Sequence, residues 1–148
     1  DGCSAPQYAL KIENISVALR NLVNSYLSVF HNSNSVKILL NSILNNPMFI
    51  GGSNNLDSNI IKVSNKKIFC KGGAEGVLLF ADLKKKIVGV IKVADGNERA
   101  LPSVVFELFK KFKILSNSEL NKLYKWNNFK ILNHASIQTG FILTKINE

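Results

Sequence analysis

The sequence contains little cysteine and histidine, and this limits the sites it can form. Cys3 and Cys70 are its two cysteines, too few for a disulfide scaffold, so a reduced, intracellular setting is the simpler interpretation. Pairing between these two thiols stays open. His31 and His134 lie far apart, and the chain has no Cys-x-x-Cys motif. The sequence therefore shows no self-contained metal-binding motif.

Long apolar runs are also lacking. The longest, at 77–80 and 87–91, are the size of strands and fall far short of the roughly 20 residues that span a bilayer. The first residues, Asp1-Gly2-Cys3, do not form a basic stretch followed by an apolar one, so no secretory signal is predicted. We therefore expect a cytoplasmic protein with no membrane partner.

Arginine is scarce, although the chain is strongly basic. The net charge is +9, but arginine occurs only at Arg20 and Arg99, and the remaining positive charge comes from lysine. The lysines are scattered apart from short clusters at 84–86 and 110–111. Because binding to a nucleic-acid backbone needs charge clustered on one face, solvated surfaces are the simpler interpretation, and no nucleic-acid partner is predicted.

Hydrophobic periodicity predicts an α+β fold, with an antiparallel sheet flanked by helices. Apolar residues at three- and four-residue spacing indicate helices after Asn14 and over 34–44, 56–62, 98–112 and 118–125. The stripe of the 98–112 helix is Leu101, Val104, Val105, Leu108, Phe109 and Phe112. Strand-like runs occur at 67–70, 77–83, 87–93 and 141–146, and 48–53 is typical of a glycine turn.

The segment Lys71-Gly72-Gly73-Ala74-Glu75-Gly76, between two predicted strands, is the strongest local signal for a site. Glycines permit positive φ and the close approach of a substrate. A lysine at a strand end can supply a fixed positive charge to a carboxylate, or transfer a proton if burial lowers its pKa. Taken alone, the segment fits a hairpin turn with an exposed lysine better.

The opening loop, Asp1-Gly2-Cys3-Ser4-Ala5-Pro6, places a carboxylate and a thiol two residues apart. Such a pair can bind a metal or orient a nucleophile. An ordinary loop with a partly buried cysteine explains the same residues.

Four segments in this order resemble the asparaginase II family, the rhizobial-type L-asparaginases. They are Asp1-Gly2-Cys3 with Pro6, then 47–58, Lys71 to Gly76, and 92–100, which contains Lys-x-x-Asp-Gly-x-x-Arg-Ala. The resemblance is close over about the first two thirds of the chain. No single segment is specific to this family, whereas the four segments in this order are.

The resemblance implies a serine β-lactamase- and glutaminase-like fold and the hydrolysis of L-asparagine to L-aspartate and ammonia through an acyl-enzyme. It implies catalytic roles for Lys71 and Asp1, a substrate-binding turn formed by Gly72, Gly73, Ala74 and Glu75, and a zinc site that includes Cys3. For Glu75, capping of its own turn is an equal alternative. The resemblance also implies a homodimer for the full-length protein.

The family's nucleophile, a Ser-x-x-Lys serine, has no convincing counterpart here. Only Ser64 is followed three residues later by lysine, Lys67, and it precedes a strand instead of opening a helix. We therefore expect 1–148 to be the C-terminal part of one asparaginase domain, inactive as a fragment. Asn55 also replaces the family's usual arginine, which puts substrate binding in doubt. The alternatives are an inactive remnant or binding module of the same fold and, less well supported, a basic nucleic-acid-binding domain.

Overall fold

Seven helices and five strands form the parts of the chain that the computed structural model describes, residues 4–29, 33–127 and 130–147. The helices are α1 (Ile12–Leu27), α2 (Asn34–Asn45), α3 (Met48–Gly51), α4 (Leu56–Val63), α5 (Leu101–Lys111), α6 (Asn117–Lys122) and α7 (Tyr124–Asn127). The strands are β1 (Ile68–Gly73), β2 (Val77–Asp82), β3 (Ile87–Lys92), β4 (Lys130–Leu132) and β5 (Gln138–Phe141). The predicted α+β class is confirmed.

The central sheet is an antiparallel meander in the order β1-β2-β3. Its strands lie where β-branched and aromatic residues predict them. Phe80 of β2 lies opposite Gly89 of β3. A Cβ at Gly89 would come within 2.2 Å of the Phe80 ring, so this glycine makes room for the aromatic side chain.

Helix α1 packs against β2 and β3, while α4 packs against β1. Leu19 and Val23 are the buried residues of α1. The predicted start of this helix, after Asn14 as its N-cap, is wrong, because the helix begins at Ile12 after the extended Lys11. Apolar periodicity locates a helix well but leaves its ends uncertain by about two to four residues.

Helix α5 is fixed to the sheet by an aromatic pair. The rings of Phe109 and Phe80 meet edge to face with centroids 4.9 Å apart, and Phe109 is fully buried. The prediction that Phe112 belongs to the buried stripe is wrong, since it is 56% exposed. The helix ends at Lys111, and Phe112 at its C-cap leaves helical geometry, so its side chain departs from the stripe.

Two other local predictions are also wrong. The predicted glycine turn at 48–53 contains a short helix, α3, and turns only at Gly52, where φ is +86°. The predicted strand at 141–146 is replaced by the β4–β5 hairpin, whose second strand ends at Phe141. Asn133 sets this hairpin by accepting hydrogen bonds from the backbone amides of Ala135 and Ile137.

No helix in these described ranges is long and apolar enough to cross a membrane.

Helix α6 begins with a capping box. The Ser116 hydroxyl accepts a hydrogen bond from the Glu119 amide, and the Glu119 carboxylate accepts one from the Ser116 amide at 2.8 Å. Lys67 also contacts the Glu119 carboxylate, at 2.6 Å. Partial burial acts to raise the pKa of Glu119, but hydrogen bonds from Lys67 and Ser116 outweigh it and lower the pKa from 4.5 to about 2.

This lowered pKa predicts a loss of stability in acid. Because the pKa is lower in the folded state, the stabilisation is present above pH 4.5 and is lost as the pH falls toward about 2. Glu119→Gln should lower the free energy of unfolding by about 1 kcal/mol at neutral pH. Urea unfolding from pH 7 to pH 2 should show the difference in unfolding free energy between the two proteins shrinking below pH 4.5. A difference independent of pH would contradict the lowered pKa of Glu119.

Candidate functional site

Lys71 lies near the end of β1, opposite Leu79 of β2. The chain then turns through Glu75 and Gly76, both in the left-handed region at φ +59° and +68°. A Cβ at Gly76 would come within 2.8 Å of Val93, so glycine is required there by both conformation and space. The segment is therefore a hairpin turn, as its isolated sequence suggested. Its first residues, at the end of β1, also border a cavity.

The buried carboxylate of Asp57 lies beside Lys71. Asp57 is 4% exposed, near the start of α4, and its Oδ1 accepts a hydrogen bond from the Ser58 amide at 2.7 Å. Its Oδ2 accepts one from the Gly72 amide at 3.0 Å and lies 3.7 Å from Lys71 Nζ. Asp57 thus ties α4 to the end of β1, and it is the only acid of the described residues that pairs with Lys71.

The packing around Asp57 explains a glycine that sequence reasoning did not single out. A Cβ on Gly51 would lie 1.9 Å from Asp57 Oδ1 and 2.6 Å from its Cγ. Gly51 has no positive φ, so space for the carboxylate is what requires glycine. Ser58 strengthens the same corner by donating its hydroxyl to the carbonyl of Pro47 at 2.9 Å.

A cavity of about 500 Å³ opens beside this network. Its lining comes from the start of α4 and the residues just before it, the end of β1, the start of β2, residues 98–102 and α7. The lining residues are Asn54, Asn55, Leu56, Asp57, Lys71, Gly72, Gly73, Ala74, Val77, Leu78, Glu98, Arg99, Leu101, Pro102 and Trp126. Its volume is within the range of small-molecule sites.

Both signs of charge line the cavity. Lys71 and Arg99 are its cations, and Asp57 and Glu98 its acids. Arg99 is already engaged, because its guanidinium lies 2.5 Å from Asp95. A hydrogen bond from the Asn97 amide and the bond from Arg99 hold the pKa of Asp95 below its ordinary value. Lys71 has the looser ion pair, at 3.7 Å from Asp57, and its ammonium also donates to the backbone carbonyl of Gly72.

The structure separates the residues that the sequence grouped together. Lys71, Gly72, Gly73 and Ala74 line the cavity, whereas Glu75 is not among its lining residues. Glu75 is exposed on the turn, and its backbone carbonyl accepts a hydrogen bond from Lys92 Nζ at 2.6 Å. Asp57, which sequence reasoning did not name as a site residue, is the carboxylate that lies beside Lys71.

The predicted site residues Asp1 and Cys3 lie outside the described residues. Among those described, no group of three or more histidine, cysteine, aspartate or glutamate residues is arranged to hold a metal ion. Cys70 is a free thiol, fully buried. Burial and the nearby Asp57 raise its pKa well above the ordinary value, against the lowering influence of Lys71, so this thiol is not an activated nucleophile.

Ser64, which matches Ser-x-x-Lys by letter, has no access to a substrate. It is fully buried at the C-terminal cap of α4, where its hydroxyl donates to the Ile61 carbonyl and accepts from the Ile68 amide. Lys67, three residues later, pairs with Glu119. Both side chains therefore stabilise the junction between α4 and β1.

The chain matches a known protein family. The sequence model described as L-asparaginase II matches residues 1–144, nearly the full length of the chain. No curated protein matches the sequence. The family match covers all the residues that line the cavity, among them Asp57 and Lys71. The resemblance drawn from the four ordered segments is confirmed, and the chain belongs to the L-asparaginase II family.

Proposed function

We propose that this chain takes part in the hydrolysis of L-asparagine to L-aspartate and ammonia, with Lys71 as the positive charge that meets the substrate. The observation that carries the proposal is the position of Lys71. Its ammonium borders a cavity of about 500 Å³, beside a buried carboxylate, in a chain of the L-asparaginase II family.

The charges around the cavity suit a small zwitterion. L-asparagine carries a carboxylate and an ammonium close together, so its site needs fixed charges of both signs on rigid elements. Lys71 can bind the carboxylate, because its ammonium carries three donors and its 3.7 Å contact with Asp57 is looser than the 2.5 Å contact between Arg99 and Asp95. Glu98 also lines the cavity and supplies a carboxylate for the ammonium. Asn55 also lines the cavity, so the position where the family usually carries arginine can still contact a ligand through its amide.

Asp57 has a supporting role in this proposal. Its Oδ2 accepts a hydrogen bond from the Gly72 amide and lies 3.7 Å from the Lys71 ammonium, while its Oδ1 accepts one from the Ser58 amide. These contacts fix the end of β1 against α4. The Asp57 carboxylate is almost fully buried, so the solvent-facing part of the cavity stays free for a ligand. Preorganisation of this kind lowers the entropy cost of binding a small substrate.

The reaction requires a nucleophile as well. In the acyl-enzyme route a serine oxygen attacks the carbon of the side-chain amide, the carbon–nitrogen bond breaks, ammonia leaves, and water then hydrolyses the ester. Residues 1–148 offer no accessible Ser-x-x-Lys serine, so we assign binding and orientation to this chain and the nucleophile to sequence outside it. Zinc binding through Cys3, a catalytic role for Asp1, a homodimer and a cytoplasmic location stay predictions, and no step depends on them.

The alternative is an inactive remnant or binding module of the same fold. The lack of an accessible Ser-x-x-Lys serine in these 148 residues favours it for the chain taken alone. The reading frame upstream of Asp1 separates the two. Ser-x-x-Lys followed by Cys-x-x-Lys there supports the asparaginase, whereas unrelated sequence contradicts it.

Lys71→Ala should weaken the binding of the product L-aspartate at least tenfold, because a charge-assisted hydrogen bond contributes about 1.5–3 kcal/mol. The measurement is an NMR titration of the ¹⁵N-labelled chain, in which the Gly72 and Gly73 amides should shift saturably. The isolated chain should release no ammonia from L-asparagine in a coupled assay.

Lys122→Ala is the matched control, because it removes an exposed lysine that does not line the cavity. It should leave the titration unchanged. Equal weakening in both variants would reject Lys71 as the substrate-side charge. Ammonia release by the isolated chain that disappears in Lys71→Ala would instead show that the chain supplies its own nucleophile.

A further inference from the structure

We propose that a second, lysine-lined cavity on this chain binds a compact, multiply charged phosphate group such as a di- or triphosphate. We call it the basic cavity; it is lined by Lys67, Asp82, Lys84, Lys85, Lys110, Lys113, Ile114, Leu115, Ser116, Asn117 and Glu119. It shares no lining residue with the Lys71 cavity, so the proposal is independent of the amidohydrolase reaction.

The fold assembles this cavity from lysines that are distant in sequence. Lys84 and Lys85 lie on the turn between β2 and β3, whereas Lys110 and Lys113 lie at the end of α5. The space they surround is about 660 Å³, within the range of small-molecule sites. Two clusters that are separate along the chain therefore face one concave surface.

A buried carboxylate holds the turn in place. Asp82 is 2% exposed, and its Oδ1 accepts hydrogen bonds from the amides of Lys84 and Lys85 at 2.9 and 2.8 Å. Lys85 in turn donates its ammonium to the backbone carbonyl of Lys113. A hydrogen bond therefore joins the turn to the segment that follows α5.

The lysines outnumber the acids, and the acids are engaged. Five lysines and two carboxylates line the cavity. Asp82 is buried under the turn amides, and Glu119 pairs with Lys67. Within the described parts of the chain, the ammonium groups of Lys84, Lys110 and Lys113 form no ion pair or side-chain hydrogen bond. Three uncompensated like charges around one cavity repel each other, and an anion bound among them relieves that repulsion.

The end of α5 explains only part of this charge. Lysines near a helix C-terminus are favoured by the helix dipole, which accounts for Lys110. The dipole does not explain Lys84, which lies on the turn between β2 and β3. It does not explain Lys113 either, because Lys113 follows the end of α5 and its backbone carbonyl already accepts a hydrogen bond from Lys85. Each ammonium has three donors and acts as a point charge, which matches the closely spaced oxygens of a phosphate chain.

The test is calorimetric titration of the chain with inorganic tripolyphosphate at ~50 mM salt, where screening is weak enough to reveal such contacts. Saturable binding is expected, and the double variant Lys84→Gln, Lys110→Gln should weaken it at least about tenfold. ATP, which carries the same triphosphate on a nucleoside, should lose affinity in that variant to the same extent.

The control is the double variant Lys37→Gln, Lys62→Gln, which changes the net charge equally but alters no lining residue. It should bind tripolyphosphate like the unchanged chain. Equal losses in the two double variants, or no saturable binding, would overturn the proposal. So would citrate binding as tightly as tripolyphosphate, or a single-stranded oligonucleotide binding more tightly than either phosphate.

Discussion

Replacing Phe109 by alanine is expected to lower the free energy of unfolding by about 3–5 kcal/mol. Its ring is fully buried and packs edge to face on Phe80, so alanine removes a large apolar contact and leaves a cavity beneath α5. Urea unfolding measures the loss, and the fluorescence of Trp126, the single tryptophan, reports it. The slope of the transition should not change, because both proteins expose nearly the same surface on unfolding.

Phe112→Ala is the matched control on the same segment. Phe112 is 56% exposed, so its removal should change the free energy of unfolding by less than about 0.5 kcal/mol. A cost for Phe112→Ala similar to that for Phe109→Ala would show that the helical stripe extends as the sequence predicted. It would also contradict the end of α5 at Lys111.

Gly51→Ala is expected to cost about 3 kcal/mol, from overpacking and from the loss of buried hydrogen bonds. The added Cβ would lie 1.9 Å from Asp57 Oδ1, so the carboxylate must move away from the amides of Ser58 and Gly72. The same variant should lose the saturable response of the Gly72 amide to L-aspartate. Urea unfolding and the NMR titration measure these two effects.

Gly52→Ala separates this effect from the general cost of replacing a glycine. Gly52 has φ +86°, but a Cβ there would meet only Asn55 Nδ2, at 4.0 Å. We expect a cost of about 1 kcal/mol from backbone strain and an unchanged titration. If Gly51→Ala cost no more than Gly52→Ala, Asp57 would be free to move, and its proposed support of Lys71 would be wrong.

Local chemistry made the hairpin around Lys71 predictable. β-Branched residues and glycines decide strands and turns over a few positions, so β1, β2 and the Glu75–Gly76 turn follow from the sequence. The tail was not predictable in the same way. Hydrogen bonds from nearby backbone amides to the Asn133 side chain set the β4–β5 hairpin. Apolar residues had instead predicted a strand at 141–146, beyond most of this hairpin.

The partner of Lys71 could not be derived from spacing. Asp57 and Lys71 are 14 positions apart on different elements, and only the packing of α4 on β1 brings them within 3.7 Å. Gly51 lacks a positive φ, so no conformational signal marked it. Its importance comes from the space that the buried carboxylate occupies.

By itself the sequence determined the fold class, the family and the lysine at the glycine strand, because ordered motifs and hydrophobic periodicity are local properties of the chain. Only the tertiary structure decided which acid lies beside Lys71 and which lysines line one cavity. It placed Asp57 next to Lys71, and it brought Lys84 and Lys85 to the same cavity as Lys110 and Lys113. Electrostatic interactions depend on distances in space, and the packing of helices on the sheet sets those distances.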